Sequence, residues 1–93
     1  MQSKPTTAAC DRLHGVLTLC MEISNNTKAD AFFSYSPHVN SYMVYVHRDG
    51  WVEGAEMEWV AMSEHINEEN LMKTLEELRL IEAVLREKEE ENV

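Results

Sequence analysis

Basic residues are scarce in this chain of 93 residues. Eight lysines and arginines stand against 17 aspartates and glutamates, which gives a formal net charge of −9. Affinity for a phosphate backbone comes largely from Lys and Arg side chains that displace counterions, so we expect no direct nucleic-acid binding. An acidic balance instead favours solubility and attraction to basic protein surfaces. Part of the charge lies at the C-terminal end, at Glu82, Glu87, Glu89, Glu90 and Glu91.

Cysteine and long apolar runs are also scarce. Cys10 and Cys20 lie ten positions apart on a segment with helical spacing, so roughly 15 Å separates them and one disulfide cannot join them. We expect buried thiols in a reducing cytoplasm. No apolar run approaches the length of a membrane span, and the first ten residues lack the features of a signal peptide. The sequence therefore predicts a cytoplasmic protein without membrane contact.

The sequence lacks recognisable motifs for phosphate binding, metal binding or catalysis. The three glycines do not form a phosphate-binding loop, and the four histidines lack the His-x-x-x-His, Cys-x-x-Cys or Glu-x-x-His spacing of metal sites. Neither cysteine has a neighbouring base fixed by sequence. Glu53, Glu56 and Glu58 resemble a carboxylate cluster, but exposed alternate positions on a strand explain them more simply. We predict no enzyme activity, no metal and no cofactor.

Aromatic residues are present in one block. All seven lie between Phe32 and Trp59, where side chains alternate as strands require. We predict strands at Asp30–Ser36, Ser41–His47 and Glu56–Met62, with Pro37 in the first connection.

The second connection and the strand faces follow from the same block. Asp49-Gly50 indicates a type I′ turn, and Gly54 indicates a bulge or a longer loop. Alternation in the second strand predicts that Tyr42, Val44 and Val46 face the helices and that Met43, Tyr45 and His47 face the opposite side. In the third strand it predicts that Met57, Trp59 and Ala61 share one face.

Helical spacing flanks the aromatic block. The first helix should begin near Thr6 or Thr7 and end within Ser24–Lys28. Its predicted buried face comprises Ala9, Leu13, Val16, Leu17, Cys20 and Met21. The last helix should begin at the N-cap Asn67 and bury Leu71, Leu75, Leu78, Ile81 or Glu82, and Leu85. Met72, Leu80 and Val84 widen this apolar stripe, so either the helix is sandwiched or its outer half meets a second copy.

The elements together predict an α+β fold. The order is αβββα in a single domain of residues 1–93, with frayed ends at 1–5 and 88–93 and both helices packed on a three-stranded antiparallel sheet. Both faces of the second strand carry bulky side chains. We therefore expect a homodimer through the outer side of the final helix or the free sheet face.

Residues 31–40, AFFSYSPHVN, are followed by Val44-Tyr45-Val46 and Asp49-Gly50-Trp51. These segments resemble small, mostly uncharacterised accessory proteins of phages and prophages of Gram-positive bacteria. In that group a Tyr-Ser-x-His-Val-Asn segment precedes a strand and a Gly-Trp turn. Pro37 departs from the pattern. The resemblance implies a small accessory protein located in the cytoplasm of the bacterial host cell. Proteins of this kind include inhibitors of host defence, among them anti-CRISPR proteins.

These observations favour a non-enzymatic module that binds a host or phage protein, in its narrower form an inhibitor of a nucleic-acid-handling or defence protein. The candidate contact residues are Tyr35, His38, Asn40, Tyr45, His47, Asp49, Trp51, Glu53, Glu56 and Glu58.

Two alternatives stay open. One is a homodimer that binds a nucleotide or another small molecule in a pocket between the subunits, with Tyr and Trp rings stacked on the ligand and His38 or His47 hydrogen-bonded to it. The other is a structural assembly component. Base stacking on the aromatic sheet is disfavoured, because Arg48 is the one lysine or arginine between Ala31 and Met62.

Overall fold

A computed structural model describes residues 5–91 and confirms the αβββα order. Helix α1 (Thr7–Asn26) precedes three strands, β1 (Asp30–Ser36), β2 (Ser41–His47) and β3 (Glu58–His65), and helix α2 (Glu68–Glu91) follows them. The strands form one antiparallel sheet in the order β1-β2-β3. The predicted frayed ends lie largely outside the described residues, and α2 continues through positions 88–91.

Both helices begin where capping side chains predict. Thr6 Oγ1 accepts a hydrogen bond from Ala9 N at 3.1 Å, and Asn67 Oδ1 accepts one from Asn70 N at 2.8 Å. Each bond satisfies an amide that has no partner inside the first helical turn. The predicted starts of both helices are therefore confirmed.

The β1–β2 hairpin is regular, and both strands have their predicted bounds. Pairing runs without interruption from Asp30 opposite His47 to Ser36 opposite Ser41. A short 3₁₀ turn at Pro37–Val39 joins the strands, and Asn40 follows it in a left-handed conformation with φ 49°. Its carbonyl accepts a hydrogen bond from Ile66 N at 3.0 Å, so this connection is tied to the chain that leaves β3.

The predicted bounds of the third strand, Glu56–Met62, are wrong, because β3 pairs with β2 through two bulges. Val44 lies opposite Ala61 while Tyr45 lies opposite Trp59, which leaves Val60 as an extra residue. A second extra residue falls between Ala61 and Glu64, where Ser63 has φ 52°. The first bulge sends Trp59 and Ala61 to opposite faces, which strict alternation could not predict.

The type I′ turn at Asp49-Gly50 is also a wrong prediction. Gly50 N donates to His47 O at 3.1 Å, and Gly50 has φ 91°. Among residues 5–91, Asn40 and Ser63 are the non-glycine positions with positive φ, so Asp49 lacks the conformation that type I′ requires. The chain continues as a loop to residue 57. It turns again where Ala55 N donates to Val52 O at 3.0 Å, which is the longer loop that Gly54 indicated.

Both helices pack on one face of the sheet, α1 over β1 and α2 over β3. The predicted inward residues of β2 are buried there, and the hydroxyls of Tyr42 and Thr74 share a hydrogen bond at 2.6 Å in the core. Burial raises the pKa of the Cys20 thiol to about 11, so this thiol stays protonated at neutral pH. The predicted core stripe of α2 is confirmed at Leu71, Leu75, Leu78, Ile81 and Leu85.

The predicted buried face of α1 needs a correction. Leu17 and Met21 are 41% and 56% exposed, whereas Leu19 and Ile23 are buried. The helix turns the arc centred on Val16 and Ile23 toward the sheet. Leu17 and Met21 therefore lie at its outer edge, although their spacing matches that of core residues.

Candidate protein-contact surface

The sheet face opposite the helices carries a row of three aromatic rings, one from each strand: Phe32, Tyr45 and Trp59. The rings of Phe32 and Tyr45 stack with centroids 4.9 Å apart and an angle of 11° between planes. The Tyr45 and Trp59 rings meet at 5.3 Å and 62°. We call these three residues the aromatic row. Rings in such geometry attract one another beyond their area of contact.

Strand register explains why the row forms. The regular β1–β2 pairing sets Phe32 opposite Tyr45. The bulge at Val60 then places Trp59 opposite Tyr45, while Ala61 turns into the core opposite Val44. Without that extra residue, Val60 would lie opposite Tyr45 and the indole would point to the helix side. The bulge therefore completes the row.

His47 flanks the aromatic row, two residues beyond Tyr45 on β2. Its ring contacts those of Phe32 and Tyr45 edge-on, with centroids 5.6 and 5.9 Å apart. His47 Nδ1 lies 2.9 Å from the backbone carbonyl oxygen of Glu56. A carbonyl oxygen can only accept, so Nδ1 carries the hydrogen in this contact. The histidine is buried, and this bond fixes the end of the loop beside the sheet face.

The loop of residues 48–57 is anchored to the start of β1. Trp51 N donates to Asp30 Oδ2 at 2.7 Å, and Lys28 Nζ lies 3.1 Å from Asp49 Oδ1. A side chain at Gly50 would place its Cβ 3.1 Å from the carbonyl oxygen of Lys28, so glycine permits this close approach. The anchors leave the Trp51 side chain 58% exposed at the tip of the loop.

Negative charge surrounds this end of the sheet. Glu58 binds Arg48 through two contacts, Oε1 to Nε at 2.6 Å and Oε2 to Nη2 at 3.1 Å. The hydrogen bonds to Arg48 lower the pKa of Glu58 below its ordinary value, and the same contact raises the pKa of Arg48. Glu53 and Glu56 are exposed and form no ion pair within residues 5–91. The loop therefore presents an acidic rim.

The structure separates the predicted contact residues into two groups. The larger group lies around the loop and the aromatic row: Tyr45, His47, Asp49, Trp51, Glu53, Glu56 and Glu58. The smaller group, Tyr35, His38 and Asn40, lies at the β1–β2 connection at the other end of the strands. Asn40 and His47 are buried, so they shape their surroundings rather than present side chains to solvent.

Sequence reasoning missed Phe32 and Trp59 as members of this surface. A signal for Phe32 existed, because counting back from the predicted connection pairs Ser36 with Ser41 and hence Phe32 with Tyr45. No comparable signal placed Trp59, since its facing depends on the bulge at Val60.

A second candidate surface within residues 5–91 is the groove between the helices. A groove of about 790 Å³ between the helices is lined by Arg12 and Arg79 together with acidic side chains, so its charges are mixed. Within residues 5–91, no three His, Cys, Asp or Glu side chains converge as metal ligands would. Neither described helix is apolar enough over sufficient length to span a bilayer.

Comparison with known proteins matches the chain to no family model, to no curated protein and to no solved structure. The geometry of the chain's own residues therefore carries the functional argument.

Proposed function

We propose that this protein is a non-enzymatic protein-binding module whose contact surface consists of the aromatic row and the loop of residues 48–57. The observation that carries the proposal is the row itself. Three rings lie side by side on the sheet face that neither helix covers, with Trp59 39% exposed at its edge. Phe32 and Tyr45 are half-buried beside it. Aromatic groups that stay partly exposed in one patch are typical of binding surfaces, where Tyr and Trp supply much of the affinity.

The chemistry of the surface indicates the kind of partner. The rings offer an apolar centre, and Glu53 and Glu56 offer a negative rim at one end. Arg48, the basic residue of this block, is engaged by Glu58. A partner surface with an apolar anchor and flanking Lys or Arg side chains fits this arrangement, because opposite charges steer the encounter.

The narrower form of the proposal is a phage-type inhibitor of a host nucleic-acid-handling or defence protein. It is supported by the resemblance of residues 30–52 and by the net charge of −9. In this form, acidic side chains occupy a basic groove that otherwise holds nucleic acid. Affinity for such a partner falls steeply with salt, because the contacts are largely between charges.

Affinity measurements on a partner captured from host lysate test both forms. Truncation of Trp59 to Ala should weaken binding by about tenfold or more, since it removes the most exposed ring of the aromatic row. Leu80→Ala is the matched control, because Leu80 is a large exposed apolar residue on the outer side of α2. Equal affinity of Trp59→Ala and wild type would exclude the aromatic row as the contact surface.

The salt dependence of binding and thermal unfolding with nucleotides test the narrower form and the small-molecule alternative. Binding that is unchanged between low and physiological salt contradicts the basic-groove form. A rise in melting temperature with any member of a nucleotide panel would favour the small-molecule alternative instead. We expect no such rise.

A further inference from the structure

The free edge of β1 lacks the features that usually protect an edge strand. Its seven residues, DAFFSYS, include neither proline nor lysine, and pairing with β2 is regular from end to end. The strand carries one charge, at Asp30, where it begins. Edge strands are normally blocked by charge, proline or bulges, because their unpaired backbone groups are a template for another strand.

Hydrogen bonds from Ser24 show which backbone groups face this edge. Ser24 Oγ accepts from Ala31 N at 3.0 Å and lies 3.5 Å from Ala31 O, while it donates its own hydrogen to Cys20 O at 2.9 Å. Both backbone groups of Ala31 therefore point away from β2. In an antiparallel pair this direction alternates along the strand. The N–H and C=O groups of Phe33 and Tyr35 therefore also face outward.

Helix α1 extends exposed apolar side chains beside the same edge. Arg12 and Gly15 line the groove toward α2, and helical geometry places Leu17 and Met21 on the other side of the helix axis. From the Ser24–Ala31 contact, α1 runs back along β1. Met21 and Leu17 lie about 5 and 10 Å before Ser24 on the helix, at the level of β1 residues 33–35.

We propose that a second copy of this chain docks on this edge, strand β1 against strand β1 in antiparallel orientation, about a two-fold axis at Ser34. In this register, Phe33 of each copy exchanges backbone hydrogen bonds with Tyr35 of the other. Four bonds form, and the Ser24–Ala31 contacts stay intact. The product is a continuous six-stranded sheet in which Leu17 and Met21 of both copies cover the new strand pair.

The charge distribution favours a second copy of this chain as the partner at the free edge of β1. Residues 7–36 contain three acids and two bases, so this side of the molecule is nearly neutral although the whole chain carries −9. In the Ser34-centred register, Asp30 of one copy comes level with the exposed His38 of the other, so no like charges meet. A small chain also enlarges its apolar core by pairing.

This dimer differs from the two surfaces that the sequence suggested, and it does not depend on the proposed function. A two-fold axis perpendicular to the sheet keeps all four helices on one side. Both aromatic rows then lie on the opposite side, available to a bivalent partner.

The first test combines sedimentation with cross-linking of the full chain. We expect a dimer at about 100 µM, which is the low-affinity end of ordinary association. Ser34→Cys should form a disulfide-linked dimer under mild oxidation, because facing residues at a non-hydrogen-bonded position lie about 4.5 Å apart. Ser63→Cys, on the other edge, and wild type, with its native Cys10, should not. A monomer at this concentration, or a dimer that Ser34→Cys fails to link, overturns the proposal.

Two variants address the edge in different ways. Tyr35→Pro removes an outward N–H while leaving every bond to β2, and Met21→Lys places a charge at the covered helix edge. Each should weaken the dimer about tenfold or more while circular dichroism stays unchanged. Met72→Lys is the control, because Met72 is a comparably exposed methionine on α2. A dimer that tolerates both Tyr35→Pro and Met21→Lys uses another surface and refutes the inference, as does equal weakening by Met72→Lys.

Discussion

The two edges of the sheet are built by opposite means. Strand β1 is regularly paired and nearly uncharged, and exposed apolar residues of α1 lie beside it. Strand β3 is interrupted by bulges at Val60 and Ser63 and carries Glu58 and Glu64. The adjoining side of α2 is polar, with Lys73 and Glu77 close to Glu64. A single short sheet thus has one edge that resists strand addition and one that permits it.

The difference shows how one feature can have two effects. The bulge at Val60 breaks the regular ladder that another chain would need for pairing at β3. The same extra residue turns Trp59 onto the open face and completes the aromatic row. No equivalent irregularity exists in β1, so its outward backbone groups stay aligned. Protection of β3 and construction of the open face therefore have one cause.

The largest expected effect concerns the contrast between the β1 and β3 edges, because it depends on whether the apolar side chains beside β1 belong to the monomer core. Ile23 is fully buried, whereas Met21, two positions earlier, is 56% exposed. Ile23→Ala should lower the free energy of unfolding by about 2–5 kcal/mol, through lost burial and the cavity that remains. Met21→Ala should change it by less than about 0.5 kcal/mol, as surface substitutions do.

Urea denaturation at low protein concentration, where the chain is monomeric, measures both values. A cost for Met21→Ala comparable with that of Ile23→Ala would mean that Met21 supports the fold itself. The apolar edge would then need no partner, and the contrast between the two edges would lose its meaning.

The backbone of each edge gives a second test, with one substitution made at two serines. Ser63 has φ 52° in β3, and Ser34 is extended in β1. A β-branched side chain is strained at positive φ, so Ser63→Val should lower the free energy of unfolding by about 1–2 kcal/mol. Ser34→Val should be neutral or stabilising by up to about 0.5 kcal/mol, since valine suits a regular strand.

Thermal or urea unfolding of the two variants and of Ser63→Gly provides the comparison. Glycine adopts positive φ without strain, so Ser63→Gly should not destabilise as Ser63→Val does. Equal effects of valine at both serines would show that the conformation at Ser63 costs nothing, and the bulge would no longer distinguish the edges.

Local signals allowed much of the fold to be predicted from the sequence. Thr6 and Asn67 marked the helix starts, and the bounds of β1 and β2 followed from alternation and from Pro37. The bounds of the third strand were predicted wrongly because a bulge adds one residue, and no residue type in the sequence indicates where a bulge occurs. The predicted burial of Leu17 and Met21 was wrong because periodicity locates an apolar stripe on a helix but does not show which part of a wide stripe packs on the sheet.

The residues of the proposed contact surface could be predicted only in part, for a related reason. Tyr45 and Trp51 lie on or beside it, and their positions follow from local turns and alternation. Phe32 and Trp59 join the surface through pairing with β2, which is set by contacts far apart in sequence. His47 is buried where it meets the carbonyl of Glu56, in a loop whose conformation no motif predicted.

The smallest expected effect concerns the ion pair that joins the loop to β3. Arg48 holds the pKa of Glu58 below its ordinary value of 4.5, so the folded protein is stabilised by the ionised carboxylate. This contribution is complete above pH 4.5 and is lost as the pH falls through the lowered pKa. Both side chains are partly exposed, and solvent screening limits the contribution to about 0.2–1 kcal/mol.

Glu58→Gln should therefore lower the urea midpoint at pH 7, and the gap from wild type should narrow between pH 4.5 and pH 3. Glu69→Gln breaks a longer, single contact to Lys73 at 3.6 Å, so its effect at pH 7 should be smaller. A gap for Glu58→Gln that is the same at both pH values would show that the charge of Glu58 does not stabilise the β3 edge. Protection of that edge would then come from its bulges alone.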